Sequence, residues 1–238
     1  MSRSLQDASV VVIGGSSGIG LATATLASAA GAQVTIAGRD EGRLAAALAS
    51  LPGARGVALD VADEDAVRDL FASLDRVDHV ATLAGTHVAG NLVDVDTAAL
   101  RGPIDNRLWG PLYIGKHAAP KMTTGSITIC TGAGVARPRP GNAIVTAAAG
   151  GSEFLARAMA VELAPVRVNV VRPGIVDTPL LDRLVPTGRD EALKAMAKRV
   201  PLGRVAQPEE IADGIVFLMA NQYVTGATLT IDGGVSLG

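Results

Sequence analysis

Short apolar runs alternate along this chain with longer stretches that mix alanine, leucine and charged residues. The runs Ser9–Ile13, Gln33–Ala37, Gly56–Leu59, His79–Leu83, Ser126–Thr131, Arg167–Val171 and Thr228–Ile231 are mostly continuous and rich in β-branched side chains. Strands covered by helices on both faces need no polar face, so they read in this way rather than as strict alternation. Between them, Gly18–Ala30, Glu41–Ala49, Glu64–Leu74, Ala98–Lys121, Asn142–Leu163 and Pro208–Ala220 have the length and composition of helices. Strand and helix in alternation predict right-handed crossovers into a doubly wound parallel sheet with helices on both faces, a three-layer α/β/α arrangement. Ligands of such sheets bind outside the carboxyl ends of the strands. No repeat or linker divides the chain, so residues 1–238 read as a single domain. The stretch from Asp177 to Lys198 is the least regular and predicts a substrate loop near 177–200.

The first strand runs into Ile13-Gly14-Gly15-Ser16-Ser17-Gly18-Ile19-Gly20, and an alanine-rich helix follows. Strand, glycine turn and helix N-terminus together make an anion site, because the first helical N–H groups and the helix dipole point at the turn. The spacing is G-x-x-x-G-x-G, not the general G-x-G-x-x-G dinucleotide fingerprint, but it points to a Rossmann-type nucleotide fold. After the second strand comes Gly38-Arg39-Asp40-Glu41, where such folds choose between cofactors. A carboxylate there accepts from the ribose hydroxyls of NAD, whereas a guanidinium pairs with the 2′-phosphate of NADP. Arg39 favours NADP(H) over NAD(H). Asp40 is either a ribose ligand or, the reading preferred here, the N-cap of the next helix. Asp60, at the end of the third strand, is either an acceptor for the adenine amino group or another N-cap. Gly85 lets the chain turn against the cofactor after the fourth strand.

Composition narrows the classes. Hydrophobic residues make up 48% and charged residues 18% of 238, enough apolar material for a sizeable core. A net charge of −2 gives no electrostatic footprint for nucleic acid. No uninterrupted apolar run approaches the ~18 residues that cross a bilayer, so no membrane partner is expected. One cysteine, Cys130, and no signal-peptide core predict a cytoplasmic protein. Three scattered histidines and one cysteine give no metal-ligand spacing.

Taken together, these residues resemble the short-chain dehydrogenase/reductase family along nearly the whole chain. The Ile13–Gly20 loop is similar to its T-G-x-x-x-G-x-G, Asp60-Val61 to its adenine-binding D-V pair, and Ala84-Gly85 to the end of its N-N-A-G stretch, with Thr82-Leu83 replacing the asparagines. Arg172-Pro173-Gly174, followed by Thr178, resembles the P-G motif beside the nicotinamide, and Gly203-Arg204, Pro208–Ala212 and Asp232-Gly233-Gly234 also match. The resemblance implies cofactor contacts from Gly14, Ser16, Ser17, Gly18, Ile19, Gly20, Arg39, Asp60, Val61, Ala84, Gly85, Pro173, Gly174 and Thr178. It also implies hydride transfer between nicotinamide C4 and a carbonyl or alcohol carbon of a small molecule. Its helix asparagine falls on Asn106 and its serine position on Thr131. Its tyrosine and lysine fall on Val145 and Ala149, and no Tyr-x-x-x-Lys exists anywhere in the chain.

Two functions follow. One is an NADP(H)-dependent oxidoreductase with an altered proton route, acting on a small carbonyl, alcohol or imine. A protonated imine needs no proton from the protein, and His87 is a candidate substitute donor, with a loop histidine the blander reading. The alternative is a catalytically inactive cofactor-binding subunit, scaffold or redox sensor. Trp109, Thr131, Asn142 and Thr146 are expected at the pocket, while His79, His117 and Tyr113 read as structural. Small residues at Ala147–Ser152 would let another helix approach closely. The resemblance places a subunit interface on that helix and the one bearing Asn106, predicting a homodimer or homotetramer.

Overall fold

The computed structural model describes residues 5–85, 88, 90–184 and 187–237, with only the backbone at 183 and 184. Seven parallel strands form one sheet: β1 (Ser9–Ile13), β2 (Gln33–Gly38), β3 (Arg55–Ala58), β4 (His79–Thr82), β5 (Ser126–Cys130), β6 (Arg167–Pro173) and β7 (Thr228–Ile231). Their order is β3-β2-β1-β4-β5-β6-β7. The chain winds outward from β1 to β3, then returns to pair β4 against the other side of β1. That reversal opens a crevice at the carboxyl ends of the strands.

The inner strands are apolar on both faces because both are covered, whereas the edge strand β3 is largely exposed. Val11 and Ile13 pack toward α3 (Glu64–Ala72), α5 (Gly110–Ala118) and α6 (Ala143–Glu162), through Phe71, Ile114 and Met159. Val10 and Val12 pack toward α1 (Gly18–Ala29), α2 (Glu41–Ala49) and α9 (Pro208–Ala220), through Ala24, Leu44 and Ile215. Each element read from the hydrophobic pattern is present, with ends displaced by a few residues.

Two regions depart from expectation. The helix expected over Ala98–Lys121 is broken into α4 (Arg101–Ile104), a π-helical turn at Asp105–Trp109, α5 and a 3₁₀ turn at Ala119–Lys121. Proline at 111 has no N–H to give the carbonyl of residue 107. The Ser152 hydroxyl of α6 donates to the Arg107 carbonyl instead. The irregular segment from Asp177 to Lys198 is two helices rather than a loop, α7 (Pro179–Leu184) and α8 (Arg189–Ala197). No residue of α8 is fully buried, and its apolar side, Ala192, Leu193, Met196 and Ala197, is only half covered. Arg189 fastens the pair, donating to Asp177 and Asp182, both at 2.6 Å.

Helix α6 is, by length and composition alone, long and apolar enough to cross a membrane, contrary to the sequence expectation. Here it packs on β5 and β6 and carries the buried Glu153. Its small residues meet the chain itself: a Cβ at Gly151 would stand 3.4 Å from Leu108, and one at Gly150 3.8 Å from Val135. Tyr113 packs against the core, and His117 bonds Glu64 at 3.1 Å.

His79 is buried on β4, its Nδ1 2.9 Å from the Ser126 hydroxyl. Burial, with a smaller push from Arg167 against the pull of Asp78, lowers its pKa to about 4. The folded protein therefore binds this proton less readily than the unfolded chain, whose value is near 6.5. His79 stabilises the fold above pH 6.5, and that contribution is lost as pH falls toward 4, up to about 3 kcal/mol in all. Urea titrations between pH 7 and 4 should show this loss, and His79→Gln should flatten it.

Candidate active site

The crevice is a cleft of about 560 Å³ running across the carboxyl ends of the strands. Its floor is the glycine turn. Gly14 has φ +83°, and a Cβ on it would lie 2.8 Å from the Ala84 nitrogen of the neighbouring strand end. A Cβ on Gly20 would lie 2.0 Å from the Gly14 carbonyl oxygen, so only glycine lets α1 start against β1. Helices α2 and α3 are capped by Asp40 and Asp63, which accept from the Arg43 and Ala66 nitrogens. Ser17, the N-cap of α1, makes no such bond, and no acidic residue stands in the first turn. An anion is thus accommodated at α1 by free N–H groups and the helix dipole. A dinucleotide pyrophosphate fits this donor set.

At one end stand Arg39 and Asp60. The Arg39 Nη1 lies 3.7 Å from the Asp60 carboxylate, and both side chains are about half exposed. Asp40 is engaged in capping α2 and in a 3.1 Å pair with Arg43, as its capping reading anticipated. Asp60 is not a helix cap: it accepts from the Ala62 nitrogen at 3.0 Å, and Asp63 caps α3.

Toward the middle, Asn106 is buried in the π turn, and Thr131 sits just beyond β5. Val145 and Ala149, one helical turn apart on α6, line the same wall. Beneath them is a network that pattern reading missed. Thr131 Oγ1 donates to Glu153 Oε1 at 3.1 Å, and Arg172 Nε and Nη2 grip both Glu153 oxygens at 2.9 and 2.5 Å. The Glu153 side chain is 7% exposed and that of Arg172 18%. The carboxylate raises the guanidinium pKa further, against burial.

Arg107 was also missed. Its guanidinium lies in the cleft beside Gly85, where an added Cβ would be 2.8 Å from Nη2. Its Nε is buried without a hydrogen-bond partner among the described residues, and burial lowers its pKa. Cys130 lies near enough to feel that charge, yet burial pushes its thiol up to about 11, so it is a neutral wall at pH 7.

Every residue assigned above to the cofactor lines this one cleft, as do Asn106, Thr131, Asn142, Val145, Thr146 and Ala149. Trp109 does not: it stacks on Tyr113 at 6.1 Å and is partly exposed outside. His87 lies outside the described residues. Among those residues no cluster suited to a metal ion occurs.

The sequence model described as enoyl-(acyl carrier protein) reductase matches residues 13–236. The chain belongs to the short-chain dehydrogenase/reductase family. This is a family that uses NAD(P)(H) and acts on small molecules. A cis-4-hydroxycyclohexanecarboxylate dehydrogenase of Sinomonas cyclohexanicum is 37% identical, with 98% of each chain covered. A human 3-oxoacyl-[acyl-carrier-protein] reductase is 34% identical over 95% of this chain and 97% of its own. The MalC reductase/Diels-Alderase of Malbranchea aurantiaca superposes with TM-score 0.93 at 32% identity over the full length of both chains. Relatives with different named substrates thus share this fold.

The buried network yields a test of stability. Glu153→Ala strands the Arg172 charge and should destabilise by about 3 kcal/mol, as breaking one half of a buried pair does. Replacing both, Glu153→Leu with Arg172→Met, should recover most of that loss in denaturant titrations.

Proposed function

We propose that this family member binds NADP(H) in preference to NAD(H) and transfers hydride to or from a small carbonyl, alcohol or imine without a tyrosine–lysine pair. The observation that carries this reading is the common wall: the glycine cradle, Asn106, Thr131, Val145 and Ala149 all line one cleft. On this reading Val145 and Ala149 occupy the family's tyrosine and lysine positions. A bound nicotinamide supplies the hydride. The chain supplies the geometry, and holding donor and acceptor together is worth ~7–11 kcal/mol of barrier. The lost acid or base is worth ~10²–10⁴-fold, a smaller loss.

Arg39 supports NADP(H). Its guanidinium is half exposed at the cleft's end, while the nearest rival carboxylate, Asp40, is committed to capping. Arg107, beside Gly85, would turn its unpartnered Nε and neighbouring N–H groups toward acceptors of the bound dinucleotide. Thr131 narrows the substrate. Its hydroxyl hydrogen is directed to Glu153, which leaves lone pairs to accept. An accepting hydroxyl suits a protonated imine N–H or an alcohol O–H better than a carbonyl oxygen. With a protonated imine, hydride joins carbon, the π electrons settle on nitrogen, and no further proton is needed.

The absence of any ionisable group at Val145 and Ala149 favours the second reading, a cofactor-binding protein that does not turn over. We also place the protein in the cytoplasm and assign it as a homodimer or homotetramer. The partly exposed Trp109, Leu112, Phe154 and Val161 on the π turn, α5 and α6 give it an apolar contact face.

Fluorescence titration should show NADPH binding at least tenfold tighter than NADH, with Arg39→Ala erasing the difference; tighter NADH binding would reject the Arg39 assignment. NADPH oxidation should proceed with cyclic imines in preference to matched ketones, whereas no turnover across both panels would leave the binding-protein reading. Val145→Tyr with Ala149→Lys should raise ketone reduction by about 10²-fold or more, the scale of one positioned acid. An unchanged rate in a folded, cofactor-binding double variant would mean these positions do not face the reacting oxygen.

A further inference from the structure

The cleft has a second positive end, remote from Arg39. Arg137 and Arg139 stand on the segment that follows the short turn Ala133–Val135, and Arg199 follows α8. All three line the cleft. They are close enough that, after burial, the charges of Arg199 and Arg137 depress the Arg139 guanidinium pKa. Arg137 Nη1 donates to the Val235 carbonyl at 3.3 Å, but none of the three forms an ion pair among the described residues. Of the other arginines lining the cleft, Arg39 and Arg43 each stand against a carboxylate, Asp60 and Asp40. Among the described lining residues the carboxylates are Asp40 and Asp60, both at the Arg39 end.

This end is not the 2′-phosphate site. Arg39 follows β2 and the arginine segment follows β5, with β1 and β4 between them. At the usual strand spacing β2 and β5 themselves stand about 14 Å apart. Thr131 and Val145 lie on the arginine side, Thr131 just before that segment and Val145 just after it.

We infer that the substrate carries an anionic group, a carboxylate or a phosphate, held by Arg137, Arg139 and Arg199 while its reacting carbon lies toward Thr131. This rests on the hydride-transfer reading and deepens it. Three like charges converging on a cleft without counter-charge repel one another, and an anion with several acceptor oxygens relieves that repulsion while satisfying planar donor forks.

The test uses protein saturated with NADP⁺, so that the cofactor's own anion sites are filled. Phenyl phosphate, benzoate and neutral benzamide are titrated calorimetrically at fixed ionic strength. At least one anion should bind about tenfold or more tightly than benzamide, and more weakly as NaCl rises. A stronger benzoate response assigns a carboxylate, a stronger phenyl phosphate response a phosphate. Arg139→Gln with Arg199→Gln should weaken the anion about tenfold or more while NADP⁺ affinity, the check on folding, holds. Arg157→Gln, outside the cleft, should leave the anion unaffected. Equal binding of all three probes, or anion binding indifferent to the double variant, would overturn the inference. If the wild type binds no NADP⁺, the hydride-transfer reading fails instead. The arginine site is then judged by the same comparison without cofactor, with Arg39→Ala as the control for the other end.

Discussion

Everything in the cleft depends on how closely α1 can start against β1. The Gly20 backbone touches the Gly14 carbonyl where any side chain would collide, and Gly14 in turn lies against the end of β4. This close approach aims the first N–H groups of α1 at the point where the sheet order reverses. Neighbouring helices spend a capping carboxylate on their first turns, and α1 does not. Its unsatisfied donors cost stability in the empty protein and are the means of holding an anion. The cradle and the switch point are therefore one feature, since the same reversal that opens the crevice also sets the strand end against which the turn must fit.

The reaction end is organised by a different constraint, the burial of charge. Glu153 would be intolerable inside α6 without Arg172, and the pair leaves the Thr131 hydroxyl pointing its hydrogen inward. The break in the neighbouring helix has a local cause. Pro111 withholds a donor, Ser152 supplies one from the opposite helix, and the turn between α4 and α5 carries Asn106 and Arg107 into the cleft. Small residues on α6 make that approach feasible, which is why Ala148, Ala149 and Ser152 are buried where larger side chains would hold the turn away.

Much of this was legible in the chain. The β-branched runs located the inner strands because both their faces are covered, and the glycine spacing located the turn because each glycine answers to a specific collision. The segment from Asp177 to Lys198 was not legible as helix. Helix α8 buries no residue fully, and its short apolar side of Ala192, Leu193, Met196 and Ala197 leaves only a weak periodic signal. Trp109 pointed the wrong way because the π turn shifts the register of everything after Asp105. The buried pair had a visible trace, a lone glutamate within the small and apolar run of α6, but its partner is 19 residues away on β6 and no periodicity links them. Arg107 left no trace of its burial, since a single arginine within a helical stretch reads as surface.

The contrast between the two halves bears on how such a site can change its chemistry. If Val145 and Ala149 stand where the family's tyrosine and lysine stand, as proposed above, the exchange removes two groups that would have to be desolvated and leaves the nucleotide cradle untouched. On that assignment the proton is lost and the positioning is kept. A pocket in that condition favours substrates that bring their own proton or exchange it with water, and it places a greater share of recognition on groups away from the reacting carbon. The arginines at the far rim fit that division. They line the same cleft from segments outside the glycine turn. On the proposed reading their charge acts on the substrate, and the nucleotide is left to Arg39 and α1. In this reading binding and chemistry are separated along the cleft: charge fixes the substrate's distal end, the cradle fixes the nicotinamide, and Thr131 between them presents an accepting hydroxyl.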